Sequence, residues 1–147
     1  MLRSFLLLLS STLFLQVLSA QSESAEPKRS SMQDMTPKEA LLFTQQQEFE
    51  LFTGKLARLK TAFAEKNASQ IVANEQYVVS SMRREIEQAE ANGWASDRTK
   101  RMSAILAAFD GHGFNPAQAE AGARDFALLD EFLELMRQDL KVIQAGK

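Results

Sequence analysis

The sequence predicts an all-α fold, an up-down-up-down four-helix bundle with a short third helix and an extended segment before the fourth. Three observations predict it. Four helix-start signals divide the chain after Met35, apolar residues between them recur at three- and four-residue spacing, and no strand-like alternation competes with that period.

The chain of 147 residues opens on MLRSFLLLLSSTLFLQVLSA, residues 1–20, which is expected to be a signal peptide. Arg3 supplies a positive start, and Phe5 to Leu18 form an apolar run shorter than the ~20 residues a membrane span needs. Leu18-Ser19-Ala20 sets a cleavage point after Ala20. The expected product is secreted or periplasmic, with no stable membrane insertion. Residues 21–35 are Ser-, Glu- and Gln-rich without an apolar period and are expected to be a disordered leader. The bundle domain is expected over 36–147.

The first helix, about 37–66, starts at MTPKEAL. Thr36 caps, Pro37 takes the first helical position where its missing N–H is not needed, and Glu39 completes a capping box. Its apolar face carries Leu42, Phe49, Phe52, Leu56, Leu59 and Phe63. The second, about 68–92, starts after Asn67 and stops at Gly93-Trp94, a pattern suited to a left-handed glycine and an apolar contact after it. Its face carries Ile71, Val72, Val78, Val79, Met82, Ile86 and Ala89. The third, about 97–110, follows Ser96, carries Met102, Ile105, Leu106 and Phe109, and stops at Gly111. The fourth, about 116–145, is expected from FNPAQA, with Asn115 as cap and Pro116 first. Its face carries Phe126, Leu129, Leu133, Met136, Leu140 and Ile143.

At ~1.5 Å per residue the third helix is only ~21 Å long against ~37–45 Å for the others. Residues 111–115, GHGFN, extended at ~3.3 Å per residue, travel ~16 Å and recover most of that deficit. They are expected to climb along the bundle with Phe114 turned inward as a plug.

Function in helical bundles is built from polar side chains that face inward. Projection at about 100° per residue places Glu75 and Gln45 on apolar faces. In a pair turning near Asn67, Gln45 lies opposite about residue 89, so it is not Glu75's neighbour. The chain's single histidine, His112, is expected to pass near Glu75, giving a candidate ligand-binding pair within hydrogen-bonding or water-bridged range. One His and one Glu fall short of the three or four ligands of a zinc site, so no metal site is expected. Nor is a cofactor, since Met82, Met102 and Met136 read as core residues rather than haem ligands. No catalytic residue stands out. The chain has no cysteine, and its one histidine lacks a nucleophile elbow.

The fourth helix has surplus apolar residues. Leu128, Leu135 and Val142 recur every seven residues away from the main face, with Phe132 bridging the two, and Phe43 and Leu51 lie off the first helix's core face. These six are the candidate interface, for a homodimer or protein partner packing through the first and fourth helices. Arg83, Arg84, Arg98, Lys100 and Arg101 are expected on solvated faces, paired with Glu85, Glu87 and Glu90. Removal of Arg3 with the leader leaves 16 basic against 19 acidic side chains. That balance gives no electrostatic case for nucleic acid. The expectation is an exported, non-enzymatic binding or assembly module, with a small-ligand or metal-binding bundle at the Glu75/His112 end as the alternative.

Overall fold

A computed structural model describes residues 35–93, 96–109 and 113–146. The expected signal peptide and leader, apart from Met35, lie outside the described residues, as do Trp94 and residues 110–112. The described residues contain four helices and no strand. They are α1 (Pro37–Ala64), α2 (Ala68–Ala91), α3 (Asp97–Phe109) and α4 (Ala119–Ala145). None is long and apolar enough to cross a membrane.

Three of the four starts follow the local chemistry of their caps. Thr36 Oγ1 accepts from the Glu39 N–H at 3.3 Å, while the Glu39 carboxylate accepts from the Thr36 N–H at 2.8 Å and from its hydroxyl at 2.7 Å. These bonds hold the Glu39 carboxyl below its ordinary pKa. Asn67 accepts from the Gln70 N–H at 3.2 Å. Ser96 and Thr99 exchange side chain-to-backbone bonds in both directions, each 3.5 Å.

The fourth start is a correction. α4 begins at Ala119 rather than 116, because Asn115 caps a turn instead of a helix. Its side chain accepts from the Ala117 N–H at 2.9 Å, and its carbonyl accepts from the Gln118 N–H at 2.9 Å. Proline inside that turn fits its fixed φ as well as a helix start does. α1 also closes in a way the sequence did not signal. Lys66 takes the left-handed conformation (φ 55°), which glycine occupies at the end of α2 (Gly93, φ 70°).

Contacts define how neighbouring helices run. Position numbers fall along α2 as they rise along α1. Gln45 meets Gln88, Glu48 meets Arg84 at 3.1 Å, and Lys55 stands 5.1 Å over the Tyr77 ring. Between α1 and α4 the same inversion joins Arg137 with Phe49 (5.5 Å), Phe132 with Phe52 (5.6 Å) and Phe126 with Phe63 (5.3 Å). Between α3 and α4 it joins Arg98 with Asp139 and Arg101 with Glu131. At one end, Lys38 of α1 reaches the backbone of Gly146, just past α4.

Phe52, Leu59, Met82, Met102, Ile105 and Phe132 are at the centre of the core, each 0% exposed. Phe114 is buried too. Its ring stacks on Phe126 (4.7 Å) and Phe109 (6.0 Å) and meets Phe63 edge-on (6.1 Å). It fills the expected plug position beyond the end of α3. Three positions assigned to apolar faces lie further out: Val72 is 51% exposed, and Leu42 and Val79 are only partly buried and not part of the packed core.

Candidate functional site: a buried polar layer

Glu75 of α2 is half-buried and does meet the segment leading into α4. Its carboxylate accepts from the Phe114 N–H at 3.4 Å, and a Cβ on Gly113 would stand 3.5 Å from both carboxylate oxygens. An alanine there would make only ordinary contact with the carboxylate, so the approach does not depend on glycine. His112 lies outside the described residues, so the expected Glu75–His112 pair has only its Glu75 half in view. Among the described residues, no group of three acidic, His or Cys side chains is placed to hold a metal.

The six candidate interface residues do not share one surface. Phe132 is wholly buried against Phe52 and unavailable to a partner. Leu128 and Leu135 are partly buried and pack on the core. They flank Glu131 at three and four residues, and Val142 follows Asp139 by three, so this stripe lies on the side of α4 that faces α3. The α1-facing side of α4 is a different one, carrying Phe126, Asp130 and Arg137. Only Phe43 (37%) and Leu51 (50%) remain exposed.

The most concentrated chemistry lies elsewhere, where the start of α1, the end of α2, the start of α3 and the end of α4 converge. Gln45, Ser81, Glu85, Thr99 and Asp139 are all buried there. Asp139 accepts from Arg98 Nε at 2.8 Å. Glu48 accepts from Arg84 at 3.1 Å and from the Ser81 hydroxyl at 3.5 Å. Arg84 is held above its ordinary pKa by the Glu48 carboxylate. Glu85 sits between these two ion pairs with Gln45 against it. Burial, reinforced by the Asp139 and Glu48 carboxylates, pushes its carboxyl up to about 7.

No protein family, curated protein or solved structure matches the chain. The site is therefore read from its own geometry.

Gln45 was expected to face inward opposite about 89, and it bonds Gln88. Glu85 was expected in solvent beside Arg83 and Arg84; that is a correction. The residue is 3% exposed, and Arg84 pairs across to Glu48 instead. Arg98 and Arg101 likewise pair with Asp139 and Glu131 on α4, and Lys100 with Asp97, not with the carboxylates of α2. A signal for Glu85 and Asp139 was present. Val78, Met82, Glu85 and Ala89 form one helical stripe, as do Phe132, Met136, Asp139 and Ile143. Both acids stand where the apolar period demands an inward side chain.

Proposed function

We propose that the chain is an exported, non-enzymatic helical-bundle protein that serves as a binding or assembly module. The inverted contact registers between α1 and α2, α1 and α4, and α3 and α4 support an up-down-up-down topology for it. The interior supports a packing role over a catalytic one. Among the described residues, no fully buried side-chain nitrogen or oxygen lacks a hydrogen-bond partner, and the three central methionines are core residues.

The observation that carries the reading is the outer face of α1. Phe43 lies nine residues, about two and a half turns, from the buried Phe52. It and Leu51 keep large apolar surfaces in water, where charged and amide side chains do not cover them. The partner is a protein, and a second copy of this chain is the first to test. Phe43→Ser with Leu51→Ser is the informative variant, because Leu128 and Leu135 also support the core. The expected result is a solution mass above the monomer that falls to the monomer in the variant, with helicity retained. A chain that is monomeric throughout and indifferent to both substitutions overturns the assembly reading.

A second reading places a small ligand or a metal at the Glu75/His112 end. It is favoured by the Glu75 carboxylate, which faces the backbone of the segment that carries His112. Metal analysis and absorption spectroscopy of the purified protein test it, and the absence of any bound metal or chromophore counts against it.

A further inference from the structure

Two glycines stand inside the helices, and only one is explained from within. At Gly122 the Phe63 ring occupies the space a side chain would need, whereas at Gly54, in the middle of α1, a Cβ would meet nothing within 4 Å. Glycine weakens a helix interior, so its use there gives up local stability for a bare stretch of backbone. Glu50 and Arg58 stand about one turn to either side of it. All three are exposed and, at four-residue spacing, form one row on the face of α1 turned away from the core. Neighbouring charges are engaged within the bundle, Glu48 with Arg84 and Lys60 with Asp130. Neither Glu50 nor Arg58 has an ion pair among the described residues. The row runs acid, glycine, base, and a reversed copy of it is its own complement.

We propose that two copies of the chain pair antiparallel along α1, with the two-fold axis at Gly54; this rests on the assembly reading above and gives it a register. Helices that pack along rows of four-residue spacing cross at about −50°, their axes ~8–10 Å apart. In that crossing the bare backbone at Gly54 meets itself, and Glu50 of each copy faces Arg58 of the other. Leu51 lies beside the crossing, on the side of α1 where Glu48 and Lys55 meet α2. The same angle carries the Phe43 end of α1 over the other copy's groove between α1 and α2. That groove is a hollow of about 290 Å³ lined by Ala57, Thr61, Ala62 and Gln70 among others, into which an exposed phenylalanine fits. Charge, bare backbone and apolar knob thus all find their counterparts on a second copy. A single helix crossing is small among protein interfaces, so the dimer dissociates on dilution.

Sedimentation velocity of the whole protein, together with disulfide trapping, tests the proposal. The chain has no cysteine, so one introduced at a time reports only on its own surroundings. The two Gly54 Cα atoms are expected ~5 Å apart, within disulfide range, and Gly54→Cys should give a covalent dimer on mild oxidation. The two Gln47 sites, each seven residues from the axis, are expected ~20 Å apart, and Gln47→Cys should not. Glu50→Arg or Arg58→Glu alone should weaken the dimer about tenfold by setting like charges face to face, and the double reversal should restore it to within about twofold. A dimer that Gly54→Cys does not trap, that Gln47→Cys traps equally, or that the double reversal leaves weak overturns this pairing while the assembly reading stands. A protein monomeric at every concentration overturns both. A monomer that gains mass only with a second, different protein gives the face to that protein and overturns the self-pairing.

Discussion

Gly122 of α4 lies so close to Phe63 of α1 that a Cβ at that position would stand 2.3 Å from the ring's Cζ. The glycine is buried, and three atoms of the ring edge lie within 3.0 Å of where the methyl would go. Phe63 is itself held by Phe114 and Phe126, so it has little room to give. Gly122→Ala is expected to destabilise by up to about 2 kcal/mol, the ~1–3 kcal/mol of overpacking less the ~1 kcal/mol that alanine gains in a helix. Chemical denaturation measures this. Adding Phe63→Leu should cost less than the two single changes together, because the clash then has no partner.

Phe114 joins three rings in the space beyond the last turn of α3. Phe114→Ala removes all three contacts and opens a cavity, at about 3 kcal/mol. Phe114→Leu keeps most of the volume and is expected to lose less than half of that in the same denaturation experiment.

Glu85 makes stability depend on pH, with a definite sign. Its folded pKa, about 7, lies above the ordinary 4.5 of the unfolded chain. The folded state therefore binds more protons across that window, and stability falls as pH rises through it. The contribution is complete below about 4.5, is lost through about 7, and amounts to at most about 3 kcal/mol. Glu85→Gln should flatten that window and leave the variant more stable than the parent at about pH 8. A parent protein equally stable at both ends of the window contradicts the assignment.

Arg98 partners a carboxylate that is only 5% exposed. Arg98→Ala leaves Asp139 buried without that bond and is expected to cost about 1–3 kcal/mol, the arginine's own partial exposure holding the loss below that of a fully buried pair. Asp139→Asn in the same chain should recover part of it. Thermal unfolding of the parent, the single variant and the double variant separates the two effects.

The helices themselves were legible because capping and period agree. Thr36-Pro37-Glu39, Asn67 and Ser96 each mark a start at which the structure begins a helix. Asn115-Pro116 misled because the same two residues that open a helix also build a turn, and only the bonds at Ala117 and Gln118 distinguish the cases. At the candidate site, Gln45 could be read as inward because an amide among Leu42 and Phe49 stands out. Glu85 and Asp139 could not be read by residue type, since acids rarely lie inside. Only their place in the stripe reveals them, and only contacts across three other helices explain how the interior tolerates them. The separation of Leu128, Leu135 and Val142 from Phe43 and Leu51 was likewise invisible, because period gives an angle on one helix and not the neighbour it faces.

Lys38 against Gly146 has a topological corollary. A short Gly-Ser bridge can join the end of α4 to the start of α1, and the exposed turn at Lys66-Asn67 can be cut to create new termini. Such a circular permutant would begin with α2 and finish with α1, keeping every side-chain neighbour while turning the sequence-adjacent α1–α2 hairpin into the chain's longest-range pairing. Comparing its refolding rate with the parent's would show whether that hairpin leads assembly or follows it.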